Sequence, residues 1–318
     1  MQAQFAPIAI FAYNRPDHLT ACLTALAGNP PAEHSELTIF CDGPKPGDTS
    51  GAVEAVRQVA HEWVTRTPSA FARITVIEQP ANKGLAESVI TGVTDMLQLH
   101  DRVIVVEDDL VVSPDFLTFM NQGLDLYESD TEVISIHGFM YAVDADLGQS
   151  VFLRGADCWG WASWRRGWEL FRADSTELLQ ELRQNPDRDD FDFRGAFPYT
   201  AMLEAQAAGK IDSWAVRWYA SAFLANKVTL YPGRSLVGNI GQGEGGTNFT
   251  SQTQAKPSHS PVVGSLVGPL LKIQSSESRD ARNAVSKALQ ASHVSPEGFL
   301  SRLETLLGNF PRKFPFLR

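Results

Sequence analysis

The stretch Val103–Phe116, VIVVEDDLVVSPDF, is a dry strand that runs straight into three carboxylates. Val103 to Val106 form an unbroken apolar run, the pattern of a strand covered on both faces. Glu107, Asp108 and Asp109 follow at once, and their mutual repulsion at a strand end asks for a compensating cation. Oxygen ligands of this kind suit Mg2+ or Mn2+, with one or two carboxylates and substrate phosphates completing the shell. An acidic first turn of a helix would be the bland alternative. It fits poorly, because the next helix opens only at Ser113-Pro114.

Outward from this stretch the same unit recurs. Ile8–Phe11 reads as a strand, followed by a helix with Pro16 in its first turn and Leu19, Cys22, Leu23 and Leu26 at helical spacing. Leu37–Cys41, Ile74–Ile77 and Val133–Ile136 read as further strands. Helices carrying Val53, Val56 and Trp63, then Leu85, Val89 and Val93, then Phe116, Met120 and Leu124, alternate with them. This β-α-β-α order predicts a mostly parallel sheet with helices on both faces. Ligands of such sheets bind beyond the carboxyl ends of the strands. That rule puts Tyr13-Asn14-Arg15, Asp42-Gly43, Gln79–Gly84 and Glu107–Asp109 on one rim.

The second half differs. FLRGADCWGWASWRRGWELFR, residues 152–172, holds Trp159, Trp161, Trp164 and Trp168. Helices are predicted near 175–184 and 198–209, then from Trp214 to Leu224, with a strand at Val228–Tyr231. A Gly-rich loop at 238–248 could close as a lid or be an ordinary surface loop. The Ser/Thr/Gln/Pro-rich stretch 250–261 reads as mobile, and helices at 277–291 and 296–308 precede a basic-aromatic end, FPRKFPFLR. The expected division is a domain over 1–250, with a flexible linker and helical C-terminal extension over 251–318.

Composition narrows the function. In 318 residues, 27 Lys and Arg against 37 Asp and Glu give a net charge of −10, which argues against a nucleic-acid partner. Cys22, Cys41 and Cys158 are too sparse for a disulfide framework or a zinc site, and reduced thiols in the cytoplasm are the simpler reading. The N-terminal apolar run is too short for a signal peptide, and no window is long enough to span a bilayer. Arg312-Lys313-Phe314-Pro315-Phe316 could make weak peripheral contact with an anionic inner membrane face.

Several phosphate chemistries are disfavoured. No GxxxxGK[ST] occurs, and no Gly-rich loop follows the first strand. A phosphatase with an aspartyl nucleophile would carry its acidic pair after the first strand, where Tyr13-Asn14-Arg15 stands. A metal-dependent phosphoryl-transfer or hydrolytic enzyme, and a catalytically silent sugar-nucleotide-binding protein, remain the rival readings.

Ile8–Asp17, Leu37–Gly43, Asn82–Leu85 and above all VVEDDLVVSPDF resemble the GT-A catalytic domain of nucleotide-sugar glycosyltransferases. The likeness is greatest to the N-acetylglucosaminyltransferase I-like group, whose acidic motif has the same Glu-Asp-Asp-Leu form. Cys158-Trp159-Gly160-Trp161 resembles that group's Gly-Trp turn. Ile211-Asp212-Ser213-Trp214 with Val228–Asn239 resembles its Asp-Trp helix, strand and Gly-containing loop. The resemblance covers about residues 5–250. It implies a Rossmann-like nucleotide-sugar-binding half, 1–137, and an acceptor half, 138–250.

Roles follow from the resemblance residue by residue. Arg15 and Asp42 would hold the nucleobase, with Lys83 also on the nucleotide-sugar. Glu107 and Asp108 would contact sugar and ribose, Asp109 would ligate Mn2+ or Mg2+, and Asp212 would be the general base. The tryptophan cluster itself has two readings, since Trp159, Trp161 and Trp164 could stack on an apolar sugar face or lie in the core; a mixture is expected, with Trp159 and Trp161 at the acceptor and Trp168 in the core. The implied reaction is inverting transfer of a sugar, GlcNAc by likeness, from a UDP-sugar to a glycan, glycolipid or glycoprotein hydroxyl. Each position has a plainer reading. Arg15 could pair with Asp17, Asp108 or Asp109; Asp42-Gly43-Pro44 could be a turn; Asp212 could cap the Trp214 helix. His137, ending the fifth strand, reads as structural or rim-lining.

Overall fold

The computed structural model describes residues 5–241 and 264–291. Beyond Gly241 the Gly-rich loop lies outside the described residues. So do the stretch 250–261, the helix expected at 296–308 and the basic-aromatic end.

The first half is β1 (Ile8–Ala12), α1 (Pro16–Ala27), β2 (Glu36–Cys41), α2 (Ala52–Arg66), β3 (Arg73–Glu78), α3 (Leu85–Leu99) and β4 (Arg102–Glu107). Then come β5 (Leu110–Val112), α4 (Phe116–Leu126) and β6 (Val133–His137). The second half adds β7 (Ser150–Arg154), β8 (Trp161–Trp164), α5 (Arg165–Trp168), α6 (Ser175–Gln184) and α7 (Arg188–Phe191). It ends with α8 (Tyr199–Ala207), α9 (Trp214–Leu224), β9 (Val228–Pro232), β10 (Val237–Asn239) and α10 (Arg279–Ala291).

Eight strands form one sheet in the order β3-β2-β1-β4-β8-β6-β9-β7. β1, β2, β3 and β4 pair in parallel, as do β6 and β9, while β8 and β7 run the other way. The largely parallel α/β sheet expected from the sequence is present. Its mixed right side was not foreseen. β8 is the Trp161-Ala-Ser-Trp164 segment, whose small residues carry no strand signature, yet it joins β4 to β6. One sheet therefore spans the boundary at 137/138.

Continuous apolar runs in β1 and β4 arise because alternate side chains enter different cores. Ile8, Ile10, Ile104 and Val106 pack in one cluster with α1 and α4; Ala9, Phe11, Val103 and Val105 pack in another with α3. β3 departs from the pattern: it is a sheet edge, and its residues are exposed or half-buried. A third cluster joins β7 to α6, α8, α9 and α10 through Leu153, Leu178, Phe223 and Val285. α10, expected within a separate extension, thus packs on the second half.

Candidate active site

The rim is built by strand direction. β1, β2 and β4 are parallel, so the residues after Ala12, Cys41 and Glu107 emerge on one edge. β8 runs antiparallel to β4 with Trp161 opposite Val105, so the chain enters β8 from that same edge. α9 leads into β9, which is parallel to β6, so the start of α9 is expected there too.

At the tip of β4, Asp108 is 2% exposed and the Asp109 side chain 14%. Arg15 reaches them from the β1–α1 turn. Its Nη2 lies 2.6 Å from Asp108 Oδ1 and 3.3 Å from Asp109 Oδ2. Of the three pairings open for Arg15, the structure selects two together, Asp108 and Asp109. The guanidinium, expected on a nucleobase, here pairs with both acidic groups. The Tyr13 amide also donates to Asp108.

This partial compensation leaves large electrostatic penalties. Glu107 is pushed up to about 8, first by burial and then by Asp109 and Asp108, with Arg15 and a hydrogen bond from Trp214 opposing. Asp108 is pushed up to about 6 by burial, against the pull of Arg15. Asp109 Oδ1 is buried and has no hydrogen-bond partner. β5 follows immediately, so no helix dipole relieves the cluster.

An orphaned carboxylate oxygen in an excess of negative charge fits a divalent cation. Among the described residues, no group of three His, Cys, Asp or Glu side chains could hold a metal unaided. A cation here would therefore take Asp109 as its protein ligand and complete its shell from substrate phosphate and water.

Two backbone features close on this spot. β10 pairs with β5, and the Ile240 amide donates to the Asp109 carbonyl at 2.8 Å. Gly241 lies against the Asp109 carboxylate and the Arg15 guanidinium, where an added Cβ would push on both side chains.

Asp42 is 6% exposed and fully engaged. Oδ1 accepts from the Gly43 and Lys83 amides, both at 2.8 Å, while Oδ2 accepts from Asn82 Nδ2 at 2.8 Å and the Gly84 amide at 3.0 Å. These four bonds use the acceptor capacity of a carboxylate. The expectation that Asp42 binds a nucleobase directly is corrected: its carboxylate braces the turn 82–84, which presents Lys83. Among the described residues, no carboxylate pairs with the Lys83 ammonium.

Asp212 precedes α9. Its side chain is 66% exposed and pairs with Arg217 Nη2 at 3.1 Å. It is not the helix cap, because Ser213 accepts from the Val216 amide. Two residues on, Trp214 is buried and donates to Glu107, tying α9 to the acidic motif. That link was invisible in the sequence, although IDSW could be singled out.

The tryptophans divide. Trp159 is half-buried, edge-on to Phe139 with centroids 4.8 Å apart. Trp161 is 0% exposed, packed against Trp168, Trp214 and Trp218. The acceptor role expected of Trp161 is therefore corrected: a ring with no exposed face cannot stack on a sugar. Trp168 is in the core as expected.

A family profile described as Glycosyl transferase family 2 matches residues 8–169, from β1 through α5. No curated protein matches the chain by sequence. Two solved structures show distant likeness. One is the crystal structure of S. aureus TarS, 15% identical, covering 47% of this chain and 24% of that one at a TM-score of 0.31. The other is S. aureus TarS 1-349, 12% identical, covering 48% and 41% at a TM-score of 0.30. The chain thus spans less than half the length of either. Enzymes of the matched family use nucleotide-sugar donors and often a divalent metal. With a profile match running from the first strand past the buried tryptophan strand, this chain belongs to glycosyl transferase family 2.

Proposed function

We propose that the chain moves a hexosyl or N-acetylhexosaminyl group from a UDP-sugar to a hydroxyl of a glycan, glycolipid or glycoprotein, with inversion at C1. Membership in a glycosyltransferase family removes the phosphoryl-transfer rival. The observation that carries the finer reading is Asp109 Oδ1, buried without a partner inside an acidic triad. A nucleoside diphosphate needs cationic compensation, and this oxygen is free to ligate a cation.

Asp109 would hold Mn2+ or Mg2+, which would supply Lewis-acid stabilisation of the leaving group. Glu107 and Asp108 contact the sugar and ribose hydroxyls of the donor. Lys83, presented on the turn that Asp42 braces, and Arg15 serve the anionic and nucleobase parts. Asp212, fixed by Arg217, takes the proton of the attacking hydroxyl as the bond to C1 forms and the bond to phosphate oxygen breaks. Attack from the face opposite the leaving group inverts C1. In this reading residues 1–137 serve the donor, 138–250 serve the acceptor, and the likeness to the N-acetylglucosaminyltransferase I-like group favours GlcNAc. No helix among the described residues is long and apolar enough to cross a membrane. A cytoplasmic enzyme, with its basic-aromatic end at the inner membrane face, completes the proposal.

Calorimetric titration of UDP with and without Mn2+ tests the reading. Binding that strengthens at least tenfold with Mn2+ and is lost in Asp109→Ala supports it. UDP binding indifferent to both changes would overturn it.

A further inference from the structure

Asp157 stands just before β8, so it approaches the same rim as the acidic triad, from the side of β6. Its Oδ1 accepts from the Cys158 amide at 2.8 Å and its Oδ2 from Tyr141 Oη at 3.3 Å. A carboxylate has about four acceptor positions, so roughly half of this one is unused. The side chain is 23% exposed, and therefore reachable. Among the described residues, no lysine or arginine pairs with it. Its basic neighbour is His137, with Nε2 3.8 Å away.

His137 does not neutralise it. The ring is 0% exposed, and neither nitrogen has a hydrogen-bond partner. It lies against Tyr231, with centroids 4.9 Å apart. Burial brings its pKa down to about 4, against the pull of Asp157, so it is neutral near pH 7. The fold thus keeps a reachable carboxylate in an aromatic setting without a basic counter-charge, its free acceptor positions open to a ligand.

The surroundings indicate which ligand. Phe139, Tyr141, Trp159 and Tyr199 are all partly exposed. Phe139 is edge-on to both Tyr141 and Trp159, at centroid distances of 5.2 and 4.8 Å, and the Tyr141 and Tyr199 hydroxyls are 3.4 Å apart. Aromatic faces beside a half-free carboxylate match a pyranose, which offers an apolar C–H face and a ring of hydroxyl donors. The backbone connects the cluster to the transfer site. The Gly138 amide donates to the Gly160 carbonyl at 2.7 Å, and Gly160 packs on Val237 of β10, the strand paired with β5 beyond Asp109.

We propose that Asp157, with Trp159 and Tyr141, forms the acceptor subsite, its carboxylate accepting from hydroxyls of the acceptor pyranose while Trp159 covers the apolar face. The proposal rests on the transferase reading above and assigns Asp157 to binding, separate from the proton transfer given to Asp212.

The test uses the full chain and methyl β-glycosides of glucose, galactose and N-acetylglucosamine as probes. Saturable quenching of tryptophan fluorescence is expected, with Kd of the order of 1–10 mM. Asp157→Asn should raise that Kd at least fivefold, and Trp159→Phe should remove most of the signal. Saturation-transfer NMR on the unmutated protein gives a second measurement should either variant fail to fold, and sugar-ring protons should receive saturation. No saturable response and no saturation transfer with any probe overturns the subsite. An unchanged Kd in Asp157→Asn overturns the role of its carboxylate. Titrating the unmutated protein with UDP and Mn2+ examines the donor reading alone, so the two failures are distinguishable.

Discussion

Arg15 Nη2 sits 2.6 Å from Asp108 Oδ1, a contact between side chains separated by 93 positions in the chain. It joins the β1–α1 turn to the tip of β4 and offsets part of the negative charge there. One guanidinium faces two aspartates, with a glutamate adjoining, and the balance stays negative.

Removing that guanidinium should hurt the protein by exposing the repulsion it screens. Arg15 is 25% exposed, so the cost of Arg15→Ala is discounted below the figure for a fully buried broken pair, to about 2 kcal/mol. The double variant Arg15→Ala with Asp108→Asn should recover most of it. Thermal unfolding of the four corners of the cycle measures this. Additive effects would mean that the pair is not coupled.

Asp109→Ala should separate stability from function. It deletes a buried oxygen with no partner and one of three crowded carboxyl groups, at the cost of the 3.3 Å contact from Arg15 to Oδ2. Without metal, the variant should be as stable as the parent or more so, by up to about 1 kcal/mol. Its Mn2+-dependent affinity for UDP should fall at least tenfold. Unfolding midpoints and calorimetry on the same preparations give both numbers.

Glu107 should make the chelated protein less stable as pH rises. Its folded pKa of about 8 lies above the unfolded value near 4.5. The folded state therefore holds a proton that the unfolded state releases. This stabilisation is whole below about pH 4.5 and is lost as pH climbs through 8. Glu107→Gln should flatten the decline between those limits. Denaturant midpoints in EDTA across that range will show whether the slopes differ.

The two neighbouring tryptophans should behave oppositely. Trp161→Ala empties the centre of a four-indole cluster and should cost about 3–5 kcal/mol. Its Nε1 has no partner, so Trp161→Phe should cost only about 1–2 kcal/mol. Trp159→Ala, on a half-buried ring, should cost less than Trp161→Ala. Equal losses at 159 and 161 would contradict their different burial.

The legible parts of this fold were those with local periodicity. The strands at Ile8–Phe11, Leu37–Cys41 and Val103–Val106 were plain because long parallel sheets demand dry runs. The helices at 175–184 and 214–224 matched their patterns. β8 was hidden, since Trp161-Ala-Ser-Trp164 becomes a strand only through its partners β4 and β6. Trp161, expected beside the acceptor, is instead sealed among Trp168, Trp214 and Trp218.

The sequence by itself determined that three carboxylates would follow a dry strand, because a continuous apolar run fixes where the strand ends and what emerges there. It likewise put Arg15 and Asp42 on the same rim, since parallel strands share a direction. Only the tertiary structure decided which partners those groups found. Asp42 spends three of its four bonds on the turn 82–84 and the fourth on the Gly43 amide, Arg15 spends its charge on Asp108 and Asp109, and Asp109 Oδ1 and half of Asp157 are left over. Hydrogen-bond saturation depends on distances between groups far apart in the chain, and no local pattern encodes them.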